Sequence, residues 1–449
     1  MHRPNIVVIT TDQQHWQMMS CAGEQFIQTP ACDRLAAEGI RFDKCYTTNP
    51  LCVPARYSFI SGYMPHQFGD MEDNYQSKDR VAGTPKVHDW IQTPTLGALL
   101  QADGYDTAYG GKWHIEGPYG LTQEMADKFS FCYLSGDIRE DGAVACADFI
   151  REQHDRPFFL WASFDQPHDI CKFLPQMKNG TAPSIDVDVG LPANHAPTKC
   201  ETSWIEGLRK GTLGDEASFE LGLNRRYGLE ASQWDAQTWQ QYRNTYRYYM
   251  QEADRYIQRI LDAIDERGLL ENTVVIFTSD HGDHDGAHQM TMKRTFYEES
   301  VHVPFIIRLP DGQGAGTIDN EHLICNGLDL VPTVCDFADV PTPDTLPGSS
   351  VKQLCAGSTN SWRNYTVAQT RGGRMICSLR YKYNLYVFGE AEEELYDLEA
   401  DPGECVNRAA DYDMRTVLDE HRHLLKTWVA DNADTRGQHY CQLAGTRPH

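Results

Sequence analysis

The sequence predicts an α/β protein with a large, mostly parallel sheet flanked by helices, followed by a small C-terminal α+β subdomain that carries an antiparallel sheet. Over the first two-thirds of the chain, short β-branched or aromatic runs alternate with helical patterns, as is typical of a parallel sheet. Near the C-terminus, short strand patterns follow one another directly. The chain has 449 residues, more than a usual single domain, and its 41% hydrophobic content is sufficient for a large core.

Five runs of apolar residues predict the strands of the large sheet. They are Asn5–Thr10, Tyr105–Tyr109, Pro157–Ser163, Asn272–Thr278 and Val303–Arg308. Between them lie helical patterns, including Pro30–Glu38, Thr93–Ala102 and Ala236–Arg267. In the last of these, aromatic and aliphatic residues recur at helical spacing, which indicates core packing.

Changes in composition divide the chain. Residues 171–235 are rich in proline, glycine, asparagine and charged residues and have no sustained period. The prolines of residues 340–350 separate a main domain, residues 1–355, from a C-terminal subdomain, residues 356–449. The elements predicted in the subdomain are the strands Thr366–Gln369, Arg374–Leu379, Tyr381–Val387 and Glu394–Asp397 and the helix Met414–Asp431.

The composition excludes several classes of partner. A formal net charge of −24 argues against nucleic acid and anionic membrane surfaces. No apolar run approaches the roughly 20 residues that cross a bilayer. The run Ile6–Ile9 is too short for the core of a signal peptide, so we expect a cytoplasmic protein. The alternative is a periplasmic or secreted protein whose leader has been removed.

The 14 cysteines are scattered and form no C-x-x-C pair, so they do not indicate a zinc finger. A chain of this length does not need disulfides for stability, and we predict that most of the cysteines are buried free thiols. Cys21, Cys32 and Cys45 have no motif around them and are expected to be structural. The sequence leaves the oligomeric state open.

Polar clusters follow four of the predicted strands. Because ligands bind beyond the carboxyl ends of the strands in open α/β sheets, we expect the four clusters at one edge. They are Thr11–Gln14, Gly110–His114, Asp165–His168 and Ser279–Gly282. Cys52 precedes Pro54, a residue type favoured at the first helical position, so Cys52 is expected at a helix N-terminus, where free N–H groups favour an anion.

Residues 52–56, Cys-Val-Pro-Ala-Arg, read C-x-P-x-R and resemble the core signature of the type I sulfatases, within the alkaline-phosphatase-like superfamily. Further motifs similar to those of this family occur in the family's order. They are Asp12-Gln13, Lys112 with His114, Pro167-His168, Asp280-His281-Gly282, Lys293 ahead of Tyr297-Glu298-Glu299-Ser300, and the C-terminal Arg380-Tyr381-Lys382-Tyr383 and Glu394-Leu395-Tyr396-Asp397.

The resemblance implies that a maturation enzyme oxidises Cys52 to Cα-formylglycine. In the family this aldehyde hydrates to a geminal diol. One hydroxyl attacks sulfur, and deprotonation of the other later expels the sulfate. The resemblance also implies that residues 1–355 form the catalytic domain, in which residues 171–235 are an insertion on the substrate side.

The resemblance further implies a site for one divalent cation. Its ligands would be Asp12, Gln13, Cys52, Asp280 and His281. The commonest set in the family is three Asp and one Asn, so Gln13 and His281 are departures. The same pair occurs in formylglycine-dependent phosphonate monoester and phosphodiester hydrolases, where it accompanies manganese. Because the other ligands are hard oxygens, we expect Ca²⁺, with Mn²⁺ or Mg²⁺ as alternatives.

Other family roles carry over to positions that match the motifs. Arg56 would hold the diol and a carboxylate of the cation site. Lys112, His168 and Lys293 would bind sulfate oxygens, and either His168 or Lys293 would protonate the leaving alcohol. His114 would be the base that deprotonates the second hydroxyl.

Three further histidines, His66, His284 and His288, lie outside these motifs. His66 is predicted to face the substrate, and a position on a surface loop is the alternative. His281, His284 and His288 have the spacing of a helical zinc cluster, but the glycines between them favour a loop. We therefore expect His284 and His288 to be structural.

The predicted reaction is hydrolysis of a sulfate ester on a small or terminal sulfated carbohydrate. A pocket acting at a chain end is favoured because a net charge of −24 would repel a long polyanion. One alternative is a formylglycine-dependent phosphonate monoester or phosphodiester hydrolase. Another is a catalytically silent binding protein with unmodified Cys52, which is disfavoured because every charged position of the motifs is filled. Comparing an aryl sulfate with a phenylphosphonate ester separates the two enzymes, and mass spectrometry of the Cys52 peptide tests the third.

Overall fold

An eight-stranded sheet lies at the centre of the computed structural model, which describes residues 3–68, 94–115, 119–213, 226–358, 362–388 and 390–444. The strands of the main domain are β1 (Asn5–Asp12), β2 (Ile40–Phe42), β3 (Cys45–Tyr46), β4 (Asp106–Gly111), β5 (Cys132–Ser135), β6 (Phe158–Pro167), β7 (Thr273–Ser279), β8 (Phe305–Arg308), β9 (Thr317–Asp319) and β10 (Ile324–Cys325). Eight of them form the large sheet in the order β5-β4-β6-β1-β7-β8-β2-β9, and β3 pairs separately with β10.

The large sheet is parallel from β5 to β7, and β8 runs antiparallel to both β7 and β2. This confirms the predicted mostly parallel sheet, and all five predicted strands belong to it. Four of them are the neighbours β4, β6, β1 and β7, with Ile9 of β1 opposite Ala162 on one side and Phe277 on the other. The prediction missed β2, β3, β5, β9 and β10, because strands of two to four residues are too short to show a period.

Helices cover both faces of the sheet. The helices of the main domain are α1 (Pro30–Glu38), α2 (Cys52–Ser61), α3 (Leu96–Ala102), α4 (Gln123–Lys128), α5 (Glu140–Arg151), α6 (Phe173–Lys178), α7 (Ser203–Lys210), α8 (Ala236–Glu266), α9 (Glu298–Val301), α10 (Asn326–Ala338) and α11 (Lys352–Cys355). Ile6 and Val8 of β1 belong to one hydrophobic cluster, and Val7 and Ile9 belong to another. Because alternate side chains of a strand point to opposite faces, the continuous apolar run of β1 follows from burial on both faces.

The predicted helices agree closely with the structure. Helix α1 has the predicted bounds, and α8 ends at Glu266, one residue before the predicted end. Helix α3 begins at Leu96, because Thr95 is extended. The predicted start of that helix, Thr93, lies outside the described residues.

The C-terminal subdomain is a four-stranded antiparallel sheet with two helices packed on it. Its strands, in spatial and chain order, are β11 (Thr366–Thr370), β12 (Gly373–Cys377), β13 (Tyr381–Phe388) and β14 (Glu390–Asp397). Its helices are α12 (Arg415–Asp431) and α13 (Thr435–Ala444). The predicted strands and the predicted helix are present, whereas α13 was missed because its sequence is polar and contains a glycine.

Residues 171–235 contain α6, α7 and a helical stretch at 226–231, and residues 214–225 lie outside the description. Parts of this segment contact other regions of the chain. Thr198 Oγ1 accepts a hydrogen bond of 2.8 Å from Tyr297, and the carbonyl of Lys199 accepts one of 3.0 Å from the N–H of Asn407.

No helix within the described ranges is long and apolar enough to span a bilayer.

Candidate active site

The polar clusters that follow β1 and β7 meet at the N-terminus of α2. Side-chain ligand atoms of Asp12, Cys52, Asp280 and His281 all lie within 4.8 Å of one another, and all four residues are buried. Strand β1 lies beside β7 in the sheet, so their carboxyl ends bring Asp12 and Asp280 together. The predicted grouping of these side chains at one edge of the sheet is present.

Cys52 is the first residue of α2, as the sequence predicted. Pro54 is the third helical residue rather than the first, and it still lies in the first turn, where a missing N–H leaves no partner unsatisfied. The Cys52 Sγ lies 3.0 Å from Lys293 Nζ and 3.1 Å from His281 Nε2. Burial and Asp12 raise the pKa of the unmodified thiol, but the nearby positive charges, with Lys293 the largest, outweigh them and lower it well below its usual range.

Arg56, one helical turn after Cys52, links the two carboxylates of the site. Its Nε donates to Asp280 at 2.8 Å and its Nη2 donates to Asp12 at 3.1 Å. The Nη1 donates to the carbonyl of Lys112 at 3.1 Å and to the hydroxyl of Ser163 at 2.9 Å. The first two contacts hold two like-charged side chains together in a buried region, and the other two fix the guanidinium in place.

The pKa values of the two carboxylates are shifted in opposite directions. Burial raises the pKa of Asp12, but the Lys112 ammonium, 2.7 Å from Asp12 Oδ2, and the other nearby cations hold it well below its usual range. Burial and the charge of Asp12 raise the pKa of Asp280 to about 6. A positive charge placed between the two would stabilise the ionised form of both.

The donor set fits a divalent cation. The ammonium of Lys293 lies 2.8 Å from Gln13 Oε1, 3.0 Å from His281 Nε2 and 3.0 Å from Cys52 Sγ. These three candidate ligand atoms thus already surround a positive charge. The His281 Nδ1 lies 3.0 Å from the carbonyl of Gly282, which assigns the proton to Nδ1 and leaves the Nε2 lone pair facing the site. Carboxylate, amide and imidazole ligands are compatible with Ca²⁺, Mn²⁺ or Mg²⁺.

A second group of polar side chains lies beside the first. Asp165 Oδ1 accepts from Lys112 Nζ at 2.9 Å and from the hydroxyl of Tyr119 at 2.5 Å. Lys112 also donates to the Tyr119 hydroxyl. His168 Nδ1 lies 3.0 Å from the same hydroxyl, and its side chain is 19% exposed, whereas the Lys112 side chain is fully buried. His168 therefore lies towards the solvent side of the site.

His114 follows β4 and is buried next to Tyr119, with 4.5 Å between the ring centroids. Burial lowers its pKa, and the nearby Cys52 thiol opposes this only in part. The side chain of Cys52 is close enough to interact with the His114 ring. A neutral imidazole beside residue 52 is suited to accept a proton.

Three predicted or candidate histidines lie apart from this group. His66 Nδ1 is 2.8 Å from Gln369 Oε1, and its Nε2 is 3.1 Å from the carbonyl of Asn432, so both ring nitrogens are used in contacts with the C-terminal subdomain. We therefore leave His66 out of the substrate site. His284 Nε2 contacts Thr295 Oγ1 at 3.0 Å, and the ring of His288 stacks on Tyr297 with centroids 3.8 Å apart.

Several residues that the structure places in or beside the site belong to none of the sequence motifs. Asp165 and Tyr119 contact Lys112, Asp283 contacts Gln13, and the Sγ of Cys171 lies 3.4 Å from Gln13 Oε1. Asp165 and Asp283 were detectable, since each lies within three residues of a predicted site histidine. No pattern around Tyr119 or Cys171 indicates a role.

Comparison with known proteins decides the family. The model of the sulfatase family matches residues 4–340, well over half of the chain, and that of the C-terminal domain of N-sulphoglucosamine sulphohydrolase matches residues 286–430. The chain belongs to the sulfatase family. The matching region contains every residue of the site described above, and this protein is a sulfatase enzyme.

Two relatives of this sulfatase come from Bacteroides thetaiotaomicron. A Δ4,5-hexuronate-2-O-sulfatase is 28% identical over 452 residues, which cover 96% of this chain and 90% of the relative. An N-acetylglucosamine-6-O-sulfatase is also 28% identical, with 90% of this chain and 82% of the relative covered.

Solved structures support the same fold. A structure in complex with its substrate, D-glucosamine-2-N,6-O-disulfate, matches with a TM-score of 0.75 and 25% identity, covering 96% of this sulfatase and 99% of that chain. The phosphonate monoester hydrolase of Agrobacterium radiobacter matches with a TM-score of 0.73 and 22% identity over 96% of each chain. At 22% identity, the match to the phosphonate monoester hydrolase shows only that the two proteins share a fold.

Proposed function

We propose that this sulfatase removes sulfate from a small or terminal sulfated carbohydrate, using a formylglycine formed from Cys52 and one divalent cation. The observation that carries the proposal is the position of Cys52 at the N-terminus of α2, with its Sγ 3.0 Å from Lys293 Nζ and 3.1 Å from His281 Nε2. A nucleophile at this point would meet an anionic sulfate among positive charges at the start of a helix, where the helix dipole favours an anion.

The relatives support a carbohydrate substrate. The two from Bacteroides thetaiotaomicron bear the names of a hexuronate and an N-acetylglucosamine sulfatase, and the matching complex contains a glucosamine disulfate. The net charge of −24 favours a short or terminal sugar over a long polyanion, because the cations of the site are paired with its own carboxylates.

Asp12, Gln13, Asp280 and His281 would hold the cation, which supplies positive charge next to the sulfate oxygens and favours the ionised form of a nucleophilic hydroxyl. Formylglycine supplies a geminal diol at position 52. Arg56 holds the carboxylates of Asp12 and Asp280 in place for both groups.

The remaining side chains bind sulfate and move protons. Lys112 and Lys293 are buried cations that donate hydrogen bonds to sulfate oxygens in a region of low dielectric, where each contact is stronger than in water. His168, on the solvent side, donates a proton to the leaving sugar oxygen. His114, neutral and next to residue 52, accepts the proton of the second hydroxyl.

The proposal includes a maturation enzyme as a partner. Cys52 is only 1% exposed, so an enzyme cannot reach it in the folded protein. Oxidation of Cys52 therefore has to precede folding of this region.

A phosphonate monoester or phosphodiester hydrolase is the second candidate. It is favoured by the Gln13 and His281 pair, which also occurs in those hydrolases. The Gln13 oxygen lies beside Lys293, and His281 Nε2 lies beside both Lys293 and Cys52. The sulfate ester is preferred, because the chain is similar to named sulfatases over nearly its whole length.

The test is a comparison of substrates on matured protein. We expect sulfate release from sulfated mono- or disaccharides and from an aryl sulfate, with slower release from the parent polymer and slower hydrolysis of a phenylphosphonate ester. Cys52→Ala should reduce sulfate release at least about 10³-fold. Cys335→Ala, which changes a buried cysteine in α10, is the matched control and should retain the rate. A phosphonate ester hydrolysed faster than every sulfate ester would contradict the proposal.

A further inference from the structure

We propose that Asp283 is a positioning residue that orients the side-chain amide of Gln13, so that its oxygen and not its nitrogen faces the cation. The inference rests on the cation site of the proposed function but concerns a residue outside the ligand set. Asp283 is fully buried, and its Oδ2 lies 2.6 Å from Gln13 Nε2. It lies 270 residues away from Gln13 along the chain.

The two ends of the Gln13 amide have neighbours of opposite type. The Nε2 end faces Asp283, and an ionised carboxylate accepts hydrogen bonds but donates none. The Oε1 end lies 2.8 Å from Lys293 Nζ, an ammonium that donates but cannot accept. Each contact independently selects the same orientation, in which Oε1 points into the site.

Asp283 is itself held by donors. The hydroxyl of Tyr242 lies 3.0 Å from each of its carboxylate oxygens, and the backbone N–H of Asp285 donates to Oδ1 at 2.8 Å. Together with Gln13 Nε2, three donors therefore surround the Asp283 carboxylate. Of these, the backbone N–H of Asp285 can only donate. The position opposite Asp285 has to be an acceptor.

This arrangement makes a specific prediction for Asp283→Asn, which preserves the size of the side chain. The carbonyl oxygen of the asparagine has to face the N–H of Asp285, so its NH₂ group has to face Gln13. Two NH₂ groups would then oppose each other, and the Gln13 amide turns to accept a hydrogen bond. Its NH₂ group, which cannot bind a cation, then points into the site.

The experiment measures cation affinity without any substrate. Full-length protein is freed of metal by chelation, and Kd values for Mn²⁺ and Ca²⁺ are determined by titration calorimetry for the wild type, Asp283→Asn, Gln13→Glu and the double variant. We expect Asp283→Asn to weaken binding about 10- to 100-fold. We expect Gln13→Glu to bind no more tightly than the wild type, because glutamate has no N–H to donate to Asp283 and its outer oxygen would face another acceptor.

The double variant, Gln13→Glu with Asp283→Asn, distinguishes an effect of amide orientation from an effect of charge. With asparagine at position 283, a glutamate at position 13 can accept from its NH₂ group and present the second oxygen to the cation. The double variant should therefore bind at least tenfold more tightly than Asp283→Asn. If Gln13→Glu tightens cation binding by the same factor in the wild type and in Asp283→Asn, the effect is one of charge alone and the inference is overturned. So would a Kd for Asp283→Asn within threefold of the wild type.

The outcomes separate this inference from the proposed function. A wild type that binds the cation and hydrolyses sulfate esters, with an unchanged Kd in Asp283→Asn, overturns the inference alone. A wild type that binds neither cation overturns the inference together with the cation site. If circular dichroism shows that Asp283→Asn does not fold, the single Gln13→Glu variant decides, because a tenfold gain in affinity with Asp283 intact contradicts the inference.

Discussion

The ammonium nitrogen of Lys382, in the C-terminal sheet, lies 2.9 Å from Oε1 of Glu298 in the main domain. Oε1 of Glu404 lies 2.7 Å from the same nitrogen, and Nδ1 of His302 lies 2.7 Å from Oε2 of Glu298. Lys382 and Glu404 are almost completely buried. Burial raises the pKa of Glu298, but Lys382 and His302 outweigh it and hold the pKa below its usual range. Two sequence motifs, one from each part of the chain, thus meet in a buried ion cluster.

Loss of the Lys382 ammonium from this ion cluster should destabilise the protein. Lys382→Met leaves two buried carboxylates without their common partner, and we expect a loss of about 3–5 kcal/mol in the free energy of unfolding. Lys352→Met is the matched control, because Lys352 forms a half-exposed pair with Asp336 at 3.0 Å and should cost about 0–1 kcal/mol. Denaturant unfolding measures both, and equal losses would show that the cluster contributes no more than a surface ion pair.

His168→Gln tests the source of the leaving-group proton. A sugar alkoxide is a poor leaving group and needs a proton, whereas a nitrophenolate does not. We expect kcat to fall about 10²- to 10⁴-fold for a sugar sulfate and by less than tenfold for nitrophenyl sulfate. In His66→Gln, which alters a histidine bonded to Gln369 and Asn432, the two substrates should change by the same factor. Equal losses for both substrates in His168→Gln would assign the proton to another group.

Glu394 should make stability depend on pH. It is fully buried, and burial raises its pKa to about 7, despite hydrogen bonds from Asn384 at 3.0 Å and Thr202 at 3.2 Å. In the unfolded chain the same carboxyl has a pKa of about 4.5. The folded state therefore keeps the proton that the unfolded state releases, and stability falls as pH rises from about 4.5 to about 7, by on the order of 3 kcal/mol.

Glu394→Gln should remove this contribution, because glutamine does not ionise. The stability of the variant relative to the wild type should rise between pH 4.5 and pH 8. Urea unfolding of both proteins at several pH values measures the difference. A difference that stays constant across this range would show that Glu394 does not titrate there.

Cation removal should abolish activity and lower thermal stability. The carboxylates of Asp12 and Asp280 then face each other with less compensation, and a ligand present at about 100 times its Kd contributes about 2.7 kcal/mol to the folded state. We expect exhaustive chelation to stop sulfate release and Ca²⁺ or Mn²⁺ to restore it. His284→Gln should still bind one cation per chain, because His284 bonds to Thr295. Full activity in metal-free protein would exclude a catalytic cation.

Much of the fold was predictable because it depends on local patterns. The apolar run of β1 and the period of α8 are properties of consecutive residues, and both elements lie within two residues of their predicted bounds. The short strands β2, β3, β9 and β10 were not predictable, since each forms only where a distant partner supplies its hydrogen bonds.

The motifs also indicated which residue types gather at the site. Parallel strands place their carboxyl ends together, so Asp12 and Asp280 were expected to meet, and the proline in the first turn of α2 located Cys52. The direction of a side chain was not available from these patterns. Histidine is a residue type that is common in active sites, yet the ring of His66 is directed to Gln369 and Asn432.

The sequence by itself determined the order of the motifs, the start of α2 and the ligand types available for a cation. Only the tertiary structure decided which atoms of those residues face one another. Arg56 joins Asp12 to Asp280, and Asp283 holds the Gln13 amide, through contacts that span 44 to 270 residues. The physical reason is that hydrogen-bond direction depends on where two distant loops are placed relative to each other, and this placement follows from packing of the whole sheet and its helices.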